Sequence, residues 1–381
     1  MDLSFSPQDI AFRDEVRAFI ARELSPETRR RVEEGRALTK ADVVDWQRTL
    51  NARGWATPSW PTSAGGPGWS AVQRYIFMDE LYAARAPEPL SFNVSMIGPV
   101  LIEYGSPDQK DRFLKPTANL DIWWAQGFSE PGAGSDLAAL STTAVRDGDH
   151  YVVNGQKLWQ GMAHRADWMF TLVRTDPAAP KKQGGISFLL IDLTSPGITI
   201  RPIITIDGRH EVNEVFLDDV RVPVADRIGE ENQGWTYAKY LLSNERTGIA
   251  RIGMTRRVLA RVRDALGASG ADGRYGREAD AIEAELKALE ITQLRVLAAQ
   301  AAGQTDPRSS ILKIKGTELR QAASELLMRV VGPAGLEFVY EGEGEAPFEA
   351  ASNYFTLRAA SIYGGASEVQ KNIIASSVLG L

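Results

Sequence analysis

The chain of 381 residues contains no cysteine and only three histidines, His150, His164 and His210. Without cysteine there are no disulfides, thiolate nucleophiles, thiolate-bound zinc sites or iron–sulfur clusters. The three histidines are scattered, with no His/Asp/Glu grouping at ligand spacing, so no metal site is expected. Positive charge is also in short supply: Lys and Arg number 43 against 49 Asp and Glu, a formal net charge of -6. A molecule of that sign is a poor match for nucleic acid as its main partner. No apolar run reaches the roughly 18 residues that a membrane helix requires. The opening "MDLSFSPQDIAFRDEVRAFIARELSP" mixes charge into an apolar period and reads neither as an export leader nor as an insertion signal. A cytoplasmic protein is the expectation.

What is present divides the chain into three. Hydrophobic residues at 44% and charged residues at 24% are an ordinary globular balance, and the length allows two or three cores. Residues 1–121 carry helical periods separated by Pro/Gly-rich loops, with Ser6 and Asp9 as a helix start. The "GGPG" of residues 56–70 follows no strand, so it reads as a surface loop and not a phosphate cradle. Residues 122–232 change to short β-rich runs, with Asp147-Gly148 and Asn154-Gly155 as tight turns. Residues 233–381 return to the helical period. The expected architecture is an N-terminal α-helical domain, a middle antiparallel β-barrel and a C-terminal α-helical bundle. Strands and helices do not alternate, so a doubly wound nucleotide fold is excluded.

Two stretches carry chemistry. "GFSEPGAGSDLAAL" (127–140) leaves a strand for a glycine-rich turn. Gly132 and Gly134 let backbone N–H groups approach a ligand, and Ser129 and Ser135 add hydroxyls, a donor set suited to a pyrophosphate or a heteroaromatic edge. An ordinary closed turn explains the same residues. "NGQKLWQG" then places Trp159 past a hairpin strand, where its ring is either core or a flat platform for a flavin. The pairing of turn and ring favours the platform.

Taken together, "SEPGAGSD", "DGDHYVVNGQKLW", "YGSPDQKDRFLKP", "GEENQGWTYAKYLL" and "IYGGASEVQKNIIASSVLGL" resemble the acyl-CoA dehydrogenases over nearly the whole chain. "DWQRTLNARGWATPSWP" and "RPIITIDGRHEVNEVF" are similar to bacterial large subunits of the pimeloyl-CoA dehydrogenase type. The resemblance implies FAD between the β domain and the C-terminal helices, and oxidation of an acyl-CoA to its trans-2-enoyl-CoA. In that reaction a carboxylate takes the α proton and the β hydrogen leaves as hydride to flavin N5. Electrons then pass to an electron-transfer flavoprotein, from a homotetramer (dimer of dimers) or a heterotetramer.

By position, Gln126, Phe128, Ser129, Gly134 and Ser135 would meet the cofactor, with Ser129 replacing the commoner threonine and Ser135 also near the pantetheine. Trp159 would flank the isoalloxazine, and Gly161 stands where a Thr or Ser is usual. "RVVGPAGL" (329–336), with Arg329, Gly332 and Gly335, matches an FAD segment reached from a neighbouring subunit, although Arg329 replaces a glutamine and Pro333 a glycine. "DGRYG" (272–276) is an altered Arg-x-x-Phe-Gly motif. Ser367 and Glu368 complete the cofactor set. Ser243, Asn244, Glu245, Arg246, Tyr363 and Gly364 would meet the substrate, the Gly364 amide acting on the thioester carbonyl.

The base is the remaining question, because Gly364 stands where many relatives carry it. Glu368 falls in the first turn of a helix, where a glutamate is favourable for electrostatic reasons alone. Glu245 shares a helical face with Leu241, Ile249 and Ile252, and burial there would raise its pKa toward a base's range. The residues leave a structural ion pair equally open. The resemblance decides for the base, since some members carry it in a Glu-Arg pair matching Glu245-Arg246. Two other readings share the fold: a flavin monooxygenase or oxidase, and a structural subunit of a heteromeric dehydrogenase.

Overall fold

The computed structural model describes residues 5–245, 250–269, 273–301, 308–336 and 350–381. Six helices come first: α1 (Pro7–Glu23), α2 (Pro26–Glu34), α3 (Lys40–Ala52), α4 (Ala71–Ala83), α5 (Gly98–Tyr104) and α6 (Pro107–Ala118). Ser6 and Asp9 cap α1 reciprocally, as the residues suggest. The same box recurs as Thr39 with Asp42, Ser70 with Gln73 and Ser106 with Gln109. Each box satisfies N–H groups that a first turn leaves without intrahelical acceptors. Phe12, Val16, Phe19 and Ile20 of α1 form a core with Trp46, Leu50, Trp55 and Phe77.

Seven strands follow: β1 (Trp124–Gly127), β2 (Thr143–Asp147), β3 (His150–Gly161), β4 (Trp168–Arg174), β5 (Ile186–Asp192), β6 (Ile198–Ile204) and β7 (His210–Pro223). They form one sheet in the order β1-β4-β2-β3-β7-β6, with β5 also on β4. Two expectations are corrected here. The β domain is a curled, open half-barrel and is mixed, since β1 runs parallel to β4. Both faces of its first strands are already covered, which removes the need for closure. Trp124, Phe170 and Phe188 enter a core with Leu101, Phe113 and Leu241, while Ala125, Met169 and Leu189 enter a second core with Tyr151 and Val215. Asp147-Gly148 does turn between β2 and β3, but Asn154-Gly155 is a bulge inside β3. Asn154 exchanges hydrogen bonds of 2.9 Å with Asp219, and a Cβ on Gly155 would stand 2.5 Å from Thr142.

The chain ends in α7 (Gly234–Glu245), α8 (Ile252–Ser269), α9 (Arg274–Ala301), α10 (Ser309–Val331), α11 (Ala350–Thr356) and α12 (Ser367–Ile374). α8, α9 and α10 share a core of Leu259, Leu286, Val296, Leu312 and Leu319. The face expected to run from Leu241 to Ile252 is not carried by one helix. Ala250 and Arg251 lie outside helix, Arg251 has a left-handed φ of 45°, and α8 begins at Ile252. Among the described residues no helix is long and apolar enough to cross a membrane, and no group of three His, Asp or Glu could hold a metal.

Asn93 fastens the helices to the sheet. It lies in a π-helical turn, Phe92–Ile97, with no exposed surface. Its amide nitrogen donates to Thr117 O at 3.0 Å and Ile122 O at 2.7 Å, and its oxygen accepts from Trp124 N at 3.1 Å. Leucine there would strand Ile122 O and Trp124 N and leave Thr117 O only its contact with Leu120 N. Asn93→Leu is expected to lower unfolding free energy by about 3 kcal/mol or more. A change under about 0.5 kcal/mol in denaturant titration, the range of an inert surface substitution, would remove Asn93 from this role.

Candidate active site

The first half of the site is built where β1 ends. A Cβ on Gly127 would stand 2.2 Å from Thr171 Oγ1, so only glycine lets β1 pass β4 at this point. Ser129 O then accepts from Leu158 N at 2.9 Å and from Gln160 Nε2 at 3.0 Å, which ties the 127–140 turn to β3. Between those two donors β3 breaks register. Trp159 occupies the break at a φ of 68° and is 56% exposed. A left-handed tryptophan is strained, and the hydrogen bonds on either side hold it there.

A buried ion pair lies beneath this turn. Lys157 Nζ donates to Glu130 Oε1 at 2.8 Å, Leu172 O at 2.7 Å and Phe128 O at 3.3 Å. Glu130 also accepts from Ser141 N at 2.7 Å, Ser141 Oγ at 2.8 Å and Thr142 N at 3.0 Å. Burial alone would raise the Glu130 pKa, but the Lys157 charge and these donors together hold it down to about 2. Burial pushes Lys157 down to about 8 against the pull of Glu130. Both groups are therefore charged at neutral pH.

The second half is the C-terminal turn. Gly364 and Gly365 are both left-handed, with φ of 63° and 86°. A Cβ on Gly365 would stand 2.4 Å from Gln370 Nε2. Lys313 of α10, almost wholly buried, donates to Ala360 O and to Tyr363 O, each at 2.7 Å. With those carbonyls fixed, the next N–H, that of Gly364, makes no hydrogen bond with any described residue. Tyr363 and Lys313 border a cavity of about 540 Å³ between the N-terminal helices and the C-terminal bundle. Tyr240 of α7 and Arg251 also line it.

Three family models match in succession: the acyl-CoA dehydrogenase N-terminal domain over residues 6–121, the middle domain over 125–220 and the C-terminal domain over 232–379. This chain belongs to the acyl-CoA dehydrogenase family. Acyl-CoA dehydrogenase IpdE1 of Mycobacterium tuberculosis is 37% identical over 88% of this chain and 87% of that protein. Acyl-CoA dehydrogenase FadE26 of the same organism is 34% identical over 100% and 99%. Among solved structures, the Tcur3481-Tcur3483 steroid ACAD aligns with a TM-score of 0.89 at 31% identity, over 100% of this chain and 99% of that one. The ChsE4-ChsE5 complex from M. tuberculosis gives 0.85 at 34%, over the same shares. The chain is thus an acyl-CoA dehydrogenase by enzyme class, in a family that uses a flavin.

The residues present fit such a cofactor. Places for a Cβ on Gly132 and Gly134 are open space. The Gln126 amide and the Ser129 and Ser135 hydroxyls have no partner among the described residues, and Phe128 is buried behind them. Trp159 offers a bare ring face beside them. A Cβ on Gly161 would stand 2.9 Å from the tip of the Phe92 ring. Arg329 pairs with Glu278 at 2.7 and 3.0 Å and covers Tyr275, so within the chain its guanidinium is engaged. Gly332 is left-handed and Gly335 is buried in the turn that follows. Ser367 and Glu368 form the first turn of α12, beside the glycine pair, with Glu368 exposed.

Of the substrate set, Glu245 is the last described residue of α7. The side chains of Ser243, Asn244 and Glu245 are not among those described, and Arg246 lies outside the described residues. Sequence reasoning missed Glu130, Lys157 and Lys313. A charged residue is unremarked in a sequence unless its burial is known; Lys313 sits in a stripe with Ser309, Gly316 and Thr317 that is buried throughout.

The ion pair predicts an acid signature. Since the folded-state pKa of Glu130 is depressed, its contribution is complete above the ordinary value of 4.5 and is lost as pH falls toward about 2. Glu130→Gln is expected to cost about 3–5 kcal/mol at neutral pH. It should also flatten the decline of stability between those pH values. An unchanged acid profile in thermal melts would contradict the pairing.

Proposed function

We propose that this chain oxidises an acyl-CoA thioester to its trans-2-enoyl-CoA, using FAD and delivering electrons to an electron-transfer flavoprotein. The observation that carries the reading is the Gly364 N–H, a donor without an acceptor among the described residues, in a turn clamped by Lys313 at the wall of the cavity. Such a donor suits a thioester carbonyl, which gains negative charge as the α proton leaves and is stabilised by a fixed dipole. FAD, when bound, supplies the acceptor for the second hydrogen and its electron pair. The 127–135 turn would hold its polar groups, with Ser129 and Ser135 donating, while Trp159 covers the ring system. Glu245 is proposed as the base for the α proton, on a helix that already presents Tyr240 to the cavity. Lys313, held by Ala360 O and Tyr363 O, keeps the turn from relaxing.

Assembly is proposed as a dimer of dimers, of one chain or two. The second alternative is favoured by the ChsE4-ChsE5 relative, whose name is that of a complex between two chains.

The purified protein is expected to be yellow and to release FAD on denaturation; FMN, or no flavin after reconstitution, overturns the cofactor assignment. Glu245→Gln is expected to keep FAD and the fold while turnover drops by about 10²-fold or more. Near-normal turnover would move the base elsewhere, with Glu368 the next residue to replace. Sedimentation should find a tetramer, and a fully active monomer would refute the assembly. Turnover only after adding a second chain would select the heteromer.

A further inference from the structure

His164 and His210 lie with their rings stacked, centroids 3.9 Å apart and planes 26° from parallel. Asn213 of β7, with no exposed surface, joins them. Its Nδ2 donates to Gln160 O at 3.0 Å, and that carbonyl fixes which way the amide faces. Oδ1 therefore accepts from His210 Nε2 at 2.7 Å, and the second amide N–H points at His164 Nδ1, 3.2 Å away. In this arrangement His164 is neutral, with its proton on Nε2. The pair sits where the N-terminal helices, the β domain and the C-terminal bundle meet. The segment it holds, residues 160–165, follows Trp159 and includes Gly161. Within it Met162 has a left-handed φ of 55°, and its N–H donates to Glu211 O at 2.8 Å. Arg165 Nη1 donates to Leu38 O at 3.0 Å, Lys40 Nζ to Arg165 O at 2.9 Å, and Arg209 Nη2 to Gly35 O at 3.0 Å. The α2–α3 connection is thus tied to the sequence neighbours of both histidines. Asp207 accepts from Thr356 of α11 and from Arg209 N. Of the other charges on elements packed here, Glu211 stands 3.9 Å from Arg209, Glu214 accepts from Gln156, Asp167 accepts from Trp123 N, and Arg201 covers Phe216.

His164 is exposed, so protons reach it. With Nε2 already occupied, an added proton goes on Nδ1, where it meets the Asn213 N–H; the acceptor is lost and the contact becomes repulsive. A second proton, on His210, places like charge on a ring 3.9 Å away. Nearby carboxylates offset part of the added charge but do not replace the lost acceptor. We propose that His164 and His210 are positioning residues for the wall of the flavin site: as a neutral pair they lock residues 160–165 onto β7, and proton uptake unlocks that segment and loosens the cofactor. This inference rests on the proposed function, because it takes Trp159 and Gly161 as part of that wall.

The test follows the FAD-loaded protein by hydrogen–deuterium exchange and by cofactor release at about pH 7.5 and about pH 5.5, inside the range where histidine changes charge. After correction for intrinsic exchange, protection of peptides spanning residues 160–165 should fall by about tenfold to a hundredfold, since one linked proton shifts an equilibrium by up to about tenfold per pH unit. Peptides of β5 are the unchanged reference. FAD release should quicken over the same interval by about tenfold. His164→Asn keeps an acceptor where Nδ1 stands and takes up no proton. It should hold protection and release within about threefold across the interval, with FAD content and melting temperature retained at the higher pH. The double variant with His210→Gln, which keeps a donor where Nε2 stands, should do the same. His150→Gln, on the β2–β3 hairpin beside Asp149, should behave as wild type. Equal wild-type protection at both pH values overturns the inference, as does a fall that persists in His164→Asn and in the double variant. A fall in protection with unchanged FAD release refutes the positioning role. Protein that takes up no FAD refutes the proposed function and the flavin-wall role with it; exchange measured on that protein still accepts or rejects the histidine lock.

Discussion

A lysine ammonium with no exposed surface holds the 127–140 turn against the third strand, and most of the cofactor side of the molecule depends on it. Lys157 reaches one carboxylate and two carbonyls, and the carboxylate it meets reaches back to two N–H groups and a hydroxyl. Every formal charge in this buried cluster is compensated, which is the condition under which such a pair is tolerated. Its effect is geometric. With Phe128 and Glu130 pinned, Ser129 O is left to receive β3, and the register break that turns Trp159 outward follows from that contact.

The C-terminal bundle uses the same device for a different end. Lys313 takes the carbonyls of residues 360 and 363 out of circulation, so the chain leaves them through two left-handed glycines and α12 starts immediately after. A side chain at either glycine would be strained, and at Gly365 would also strike Gln370. The proposed base on α7 is compatible with this arrangement, since Gly364, at a φ of 63°, has no side chain to act as one. In the proposed mechanism, acid–base chemistry and carbonyl activation lie on separate elements.

The three-part order of the fold was legible from periodicity and turn residues, down to the Ser6–Asp9 cap and the Asp147-Gly148 hairpin. Openness of the sheet was not, because strand residues with both faces apolar look alike whether a barrel or helices cover them. The Asn154-Gly155 pair misled for a similar reason: a turn and a bulge both call for φ outside the ordinary region, and only the Asn154–Asp219 contact distinguishes them. At the site, Trp159 and the glycine turns were readable because their residue types are unusual in such places. Lys157 and Lys313 were not, since the burial of a lysine is a property of the packing and not of the local sequence.

All of this converges on where a thioester lies. The most direct measurement is a crystal structure of the FAD-loaded protein with an unreactive acyl-CoA analogue bound, read at the thioester carbonyl. The account predicts that oxygen within hydrogen-bond distance of Gly364 N, about 2.8–3.1 Å, with the acyl chain running into the cavity bordered by Tyr240 and Tyr363. A carbonyl turned away from that amide, or an acyl chain lying outside the cavity, would contradict it.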